Sequence, residues 1–307
     1  MSLRLEMLQV ARLAPKLLEE STDLVRSFLQ SQQNSDGGFK DRIGRSDLYY
    51  TVFGIDGLLA LQADLPLERI ENYLRSFGNG EQLDFVHLCC LARCWGAIEH
   101  TRSRPLLPPN SRTEIVQRIE EFRTVDGGYH PAVGSPLGTA YGCFLAIGAY
   151  QDLKVEFPEP LRLVQCLKFL ETSDGAWTNE RTPHAALRNP QLSAGSTNAT
   201  AAAVTVLLNL GLPVSSTVGD WLLARAHPDG GFLAATQAPI PDLLSTATAL
   251  HALAGLERDF AKVKDLCLDF IDSLWTNEGA FHGNWSDDVL DCEYTYYGLL
   301  ALGHLSL

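Results

Sequence analysis

Aromatic side chains gather at three places in this 307-residue chain: Tyr49, Tyr50 and Phe53; Tyr141 and Phe144; and Tyr294, Tyr296 and Tyr297. Ring faces of this kind accommodate a polyene chain or a positive charge, and hydroxyls in a cavity orient a ligand. Two of the clusters stand behind an acidic residue, in Asp47-Leu48-Tyr49-Tyr50-Thr51 and Asp291-Cys292-Glu293-Tyr294-Thr295. Asp84-Phe85-Val86-His87 opens the same way and carries a histidine. An aspartate in such a position is a good helix N-cap, worth about 1 kcal/mol, and it suits the positive end of the helix dipole. Cys89, Cys90 and Cys94 share a helix, but no Cys or His pair accompanies them at metal-ligand spacing, so they read as buried core thiols.

The elements that must position these residues are repeated. The first clear unit runs from Val25 to Leu61: an apolar-periodic stretch, Asp36-Gly37-Gly38-Phe39, a polar loop, and then the Asp47 helix start. The turn recurs as Asp126-Gly127-Gly128-Tyr129, Asp174-Gly175-Ala176-Trp177, Asp229-Gly230-Gly231-Phe232 and, more weakly, Glu278-Gly279-Ala280-Phe281, while Asn79-Gly80 is all that remains of it in the second unit. The helix start recurs as Asp242-Leu243-Leu244-Ser245-Thr246, with looser copies at Asp84 to Leu88, Ser135 to Thr139 and Ser196 to Thr200. Six units emerge, at roughly 45- to 50-residue spacing. The Asp-Gly pair permits the positive φ that stops a helix, and the aromatic behind it staples the turn to the pair. The second helices, such as Ala199 to Leu210, lack a polar face and belong inside; Leu161 to Glu171 and Lys262 to Leu274 are charged on one face and belong outside. An open array needs polar end caps, and the last unit ends on an apolar helix, so the repeats are expected to close on themselves. The expected architecture is all-α: a closed α6–α6 toroid over residues 1–307 as one domain, with an amphipathic N-terminal helix over about 1–20 and then six repeats. The long loop between Trp177 and Ser196, with Pro183, His184 and Pro190, is expected to lie over one mouth.

Hydrophobic residues make up 46% of the chain, enough for a large core, and the 20% of charged residues are spread out. A net charge of −13 argues against nucleic acid and against an anionic membrane surface as partners. No apolar run is long enough for a membrane span, and residues 1 to 20 do not read as a signal peptide. Seven cysteines, an odd number, fit free thiols in a reducing compartment, and a cytoplasmic location is expected.

The repeat resembles that of the prenyltransferase and squalene-cyclase superfamily over nearly the whole chain. It is most similar to the β subunits of protein prenyltransferases, especially the geranylgeranyl type. Gly37 to Arg42 with Asp47 to Ile55 is similar to their last repeat, and Asp126 to Tyr129 through Phe144 to Ile147 to a central one. The resemblance implies an α6–α6 barrel whose aromatic-lined cavity takes an isoprenoid, as a prenyl diphosphate, next to a zinc ion that activates an acceptor thiol. It also implies docking to a helical partner subunit; a homo-oligomer is the other expectation. The substrate-binding candidates are Tyr49, Tyr141, Tyr294 and Tyr297 around the cavity, with Arg42 and Arg45 pointing toward its mouth for the diphosphate.

Carried over residue by residue, the zinc ligands fall in one of two registers. In one, Asp291 and Glu293 of the last repeat meet Tyr50 of the first; in the other, Asp47 and Tyr49 meet His87. Neither assembles the Asp, Cys and His of the family, and tyrosine is a poor zinc ligand, so the missing ligands weigh against zinc as the cofactor. The diphosphate positions depart as well. Ser135 to Thr139 lacks the family's histidine, and Asn284 to Asp288 is acidic where the family is basic. Canonical thiol prenylation is therefore not expected. The superfamily also contains class II terpene cyclases, whose proton donor lies in an Asp-x-Asp-Asp-Thr helix start. Asp291 to Thr295 has the same frame, with Glu293 at the donor position and Tyr294 in place of the last Asp. The second barrel domain usual in cyclases has no counterpart here. Asp291, Glu293 and Tyr50 are thus the catalytic candidates, with a binding toroid that lacks chemistry as the remaining alternative.

Overall fold

Asp-Gly turns end the outer helices because the backbone there is left-handed. Gly37 has a φ of +101°, and a Cβ on it would collide with the carbonyl oxygen of Arg69 on the following outer helix. Gly80, Gly127, Gly175, Gly230 and Gly279 repeat the positive φ. The aromatic residues behind these turns, Phe39, Tyr129, Trp177, Phe232 and Phe281, are buried. Three are pinned by their own amides: Phe39, Trp177 and Phe232 N–H groups donate to Thr51, Thr200 and Thr246 Oγ1 at 2.9, 3.1 and 2.9 Å. The hydroxyls of Thr51 and Thr246 donate in turn to the carbonyls of the cap residues Asp47 and Asp242. The recurring Asp-x-x-x-Thr spacing is therefore a joint between turn and inner helix.

The structure, a computed structural model, describes residues 2–181 and 194–307. The expectation for the segment carrying Pro183, His184 and Pro190 lies outside the described residues. Among the described residues six inner helices follow six outer ones. The outer helices are α3 (Thr22–Ser31), α5 (Leu67–Arg75), α7 (Pro109–Glu120), α9 (Pro160–Phe169), α11 (Thr217–Leu223) and α13 (Ala261–Ser273). The inner helices are α4 (Leu48–Ala60), α6 (Phe85–Arg102), α8 (Ala140–Asp152), α10 (Thr197–Asn209), α12 (Leu243–Gly255) and α14 (Cys292–Leu305). Each inner helix packs on the next, and α14 returns to pack on α4, so the double ring is closed. Two small antiparallel pairs, Phe39–Lys40 with Ser46–Asp47 and Trp275–Thr276 with Ala280–Phe281, stiffen the turns flanking the seam. All inner helices start at the same end of the ring, capped by Asp47, Asp84, Thr139, Ser196, Asp242 and Asp291.

The N-terminal segment differs from the expected single helix over about 1–20. It forms α1 (Leu3–Ala11) and a short α2 (Pro15–Leu18), with Pro15 starting the second helix. α1 contacts α14, α4, α8 and α10. It reaches the C-terminal ends of the inner helices, where Leu3 N donates to Gln151 Oε1 at 2.9 Å and Arg4 pairs with Asp152. Leu3, Met7, Leu8 and Ala11 are buried. The helix thus forms the floor of the ring and leaves the other end as the mouth. Among the described residues no helix is long and apolar enough to cross a membrane.

Candidate functional site

The lumen above α1 is a cavity of about 390 Å³, lined mainly by Tyr49, Tyr141, Phe144, Tyr297, Leu244 and Met7, with Asn198, Thr248 and His251 supplying polar atoms. That volume lies in the range of small-molecule pockets, roughly 300–1,000 Å³. A deeper chamber of about 60 Å³ shares Tyr49, Tyr141, Phe144, Tyr297 and Met7 with it and adds Arg4, Arg93, Asp152 and Tyr296. The rings come from α4, α8 and α14, while α10 presents Ala199, Ala201, Ala202 and Thr205 to the lumen.

Glu293 lies in the first turn of α14, one turn before Tyr297 on the same helix face. The Tyr49 hydroxyl donates to its Oε1 at 2.6 Å across the seam. Burial pushes the Glu293 carboxyl up to about 7; the Tyr49 hydrogen bond works against this, Asp291 adds to it and Arg42 opposes it. Burial, with the neighbouring Glu293, also raises Tyr49, so its hydroxyl stays a donor. Burial raises the Asp291 carboxyl as well, and of the two Glu293 is the one to which Arg42 does not donate a hydrogen bond.

The other candidates have different surroundings. Asp291 is 2% exposed and caps α14. Its carboxylate accepts from Tyr294 N at 2.9 Å and from Arg42 Nε at 2.8 Å, so its lone pairs are engaged. Arg42 also meets Asp287 at 2.8 Å and lies 5.2 Å over the ring of Tyr294. Tyr294 therefore packs under Arg42 at the rim and does not line the cavity. Tyr50 stands at the same rim, edge-on to Tyr49 with centroids 5.5 Å apart, its hydroxyl pushed up to about 12 chiefly by burial. Arg45 is exposed, and among the described residues no hydrogen bond or ion pair ties its side chain to the lumen. The two arginines do not form a joint anion site: Arg42 is neutralised by two carboxylates, and Arg45 stands apart.

The residues of both zinc registers fit a metal poorly. His87 Nε2 meets Asp47 at 3.1 Å and His87 Nδ1 meets Asp84 at 2.9 Å, so both ring nitrogens are taken by the caps of α4 and α6. His87 is raised to about 9, first by its bond to Asp47. Cys292 is buried with its thiol pushed up by burial, as are Cys89, Cys90 and Cys94. Among the described residues no three His, Cys, Asp or Glu side chains converge as a ligand set.

Several lumen residues escaped the sequence reading. Arg4, Asp56, Arg93 and Asp152 form a buried ion network at the floor, and His251 faces the cavity beside His304 at 3.1 Å. The available signal was a lone charge within an apolar helix: Asp56 between Ile55 and Gly57, and Arg93 between Ala92 and Cys94.

The sequence matches the family described as "Prenyltransferase alpha-alpha toroid domain" over residues 10–89 and 199–306, and the chain belongs to that family. Among solved structures it is similar to the type II terpene cyclase MstE from Scytonema in its apo form, with a TM-score of 0.61 at 14% identity, over 94% of this chain and 97% of that one. A variant of that cyclase in complex with geranylgeranyl dihydroxybenzoate gives a TM-score of 0.63 at 14% identity, over 95% and 97% of the two chains. Protein geranylgeranyltransferase-I from Candida albicans, complexed with GGPP, gives 0.56 at 15% identity, over 98% of this chain and 82% of that one. At these identities the likeness is one of fold. No curated protein matches the sequence.

Proposed function

We propose that this protein is an isoprenoid cyclase in which the Glu293 carboxylic acid protonates the end of a polyprenyl chain folded in the aromatic lumen. The observation that carries the reading is the Glu293 carboxyl in the first turn of α14, raised to about 7 by burial and held at 2.6 Å by the hydroxyl of Tyr49, whose side chain lines the cavity. A general acid must be protonated at the working pH, and burial supplies that condition. The fold likeness to a cyclase seen with a geranylgeranyl substrate supports the same class of ligand.

The step is an isomerisation. The Glu293 proton adds to the terminal alkene, whose π electrons form the new C–H bond and leave a tertiary cation. The next alkene attacks that cation and closes a ring, and the last cation loses a proton to a base, so no oxidant or leaving group is needed. Tyr49 stabilises the glutamate left behind by donating to it, and the faces of Tyr141, Phe144 and Tyr297 line the path of the moving charge. Transfer from a diphosphate is less well supported, because Arg42 is committed to Asp287 and Asp291. The test is incubation with geranylgeranyl dihydroxybenzoate and geranylgeraniol, followed by mass spectrometry of extracted products. Cyclic isomers of unchanged mass are expected from the native protein and none from Glu293→Gln. Cyclic product that survives Glu293→Gln would sink the acid assignment, and no cyclic product from either substrate would sink the reaction class.

A further inference from the structure

Cyclisation uses the mouth side of the lumen; the floor has its own polar architecture. Arg4 enters from α1 and donates through Nε to Asp152 Oδ1 at 2.9 Å. Arg93 donates through Nε and Nη2 to Asp56 Oδ2 at 3.0 and 2.8 Å. Between these pairs Arg4 Nη1 and Asp56 Oδ1 stand 3.8 Å apart, too far for a hydrogen bond, and neither atom has another partner. The Tyr296 hydroxyl, beside the Arg93 guanidinium, also makes no hydrogen bond of acceptable geometry. Arg4, Asp56 and Tyr296 are 4%, 1% and 0% exposed. Leaving such groups unmade costs about 1–3 kcal/mol each, and more when they are charged. Arg4, Arg93, Asp152 and Tyr296 border the chamber of about 60 Å³ below the main cavity. One water needs roughly 10–15 Å³ of such space, so the chamber holds more than a single water.

We propose that this floor is a head-group subsite for an uncharged alcohol or phenol, so that the isoprenoid held in the lumen carries a hydroxyl where transferase substrates carry a diphosphate. The location of the reactive end rests on the cyclisation reading; the head-group argument stands on the floor residues alone. Two arginines and two aspartates cancel, so the floor offers no net attraction to an anion. On the chamber wall the unpaired groups are a donor on Arg4 and the hydroxyl of Tyr296, which can itself donate or accept, and a hydroxyl ligand both donates and accepts. Tyr49, which holds Glu293, and Asp56 are seven residues apart on α4, roughly 10 Å of helix rise. A chain with its hydroxyl at the floor must therefore fold to bring its far end back to Glu293, as ring closure requires.

Titration calorimetry with geranylgeraniol, geranylgeranyl diphosphate and phytane, each delivered from cyclodextrin, tests the subsite without relying on turnover. The alcohol is expected to bind about ten-fold or more tighter than either of the others, a difference of about 1.4 kcal/mol. Tyr296→Phe removes a hydroxyl that the fold does not use, so the melting temperature should hold. The alcohol should then bind roughly five-fold more weakly, and phytane as before. Equal affinity for alcohol and phytane would mean that water alone satisfies the floor. That result, tightest binding of the diphosphate, binding of none of the three, or an equal loss of alcohol and phytane in Tyr296→Phe would each overturn the proposal. Failure of the cyclisation reading would look different: alcohol preference intact, with no cyclic product.

Discussion

The Tyr49 hydroxyl on the first inner helix donates to the Glu293 carboxyl on the last, joining residues 244 positions apart across the seam where the ring closes. This bond favours the charged carboxylate and opposes the burial that raises Glu293 to about 7. Turnover that needs the protonated acid should fall as pH rises through about 7. Tyr49→Phe should move that midpoint upward, because the charged form loses its donor, and lower the maximal rate. A pH profile of product formation for native and Tyr49→Phe protein checks both; a midpoint that does not move would remove Tyr49 from the mechanism. Since Glu293 is raised above its ordinary value of 4.5, its contribution to stability is full below that pH and is lost as pH rises through about 7.

Arg42 clamps the same seam from the rim. Its guanidinium, 35% exposed, meets Asp287 and the buried Asp291. Arg42→Ala leaves the Asp291 carboxylate with its backbone donor only, and the solvent at Arg42 keeps the cost modest, about 1–2 kcal/mol. Asp291→Ala removes the α14 cap as well and should cost more. Urea unfolding of the two variants gives the order. If Arg42→Ala proves the costlier, the clamp matters more than the cap.

The histidines predict two opposite pH limbs. His87 is raised to about 9 by Asp47 and Asp84, so its stabilisation is complete below about 6.5 and is lost as pH rises through about 9. His251 and His304 are lowered by burial to about 4 and about 3, so their contribution is complete above about 6.5 and is lost as pH falls through those values. Stability should therefore peak between mildly acidic and neutral pH and fall on either side. Denaturant melts across pH 4 to 9 measure this; His87→Asn should flatten the alkaline limb and leave the acid one.

Leu8 is 1% exposed where α1 packs into the ring. Leu8→Ala should cost about 2–5 kcal/mol if the helix belongs to the core, and close to nothing if it merely rests on the rim. Thermal unfolding distinguishes the two. Hydrogen exchange in the amides of α1 should then rise in the variant before exchange in the inner helices does.

How much of this was legible in the chain depends on how local the cause was. The Asp-Gly turns, the caps at Asp47, Asp84, Asp242 and Asp291, and the division into inner and outer helices follow from neighbours a few residues apart. Sequence spacing therefore reveals them. Closure of the ring was legible through its apolar last helix. The site was read only in part. Glu293 and Tyr49 stood out beside their caps, but nothing along the chain says that their side chains touch, or that Tyr294 turns away beneath Arg42.

By itself, the sequence determined a ring of six helix pairs, because each repeat carries its own stop, staple and cap. Only the tertiary structure decided what fills that ring. Arg4 meets Asp56 and Asp152 because α1 folds back through the end of the barrel, and Glu293 holds its proton to higher pH because closure buries it at the seam. Burial and charge pairing belong to residues brought together from distant parts of the chain, and those distances exist only once the ring has closed.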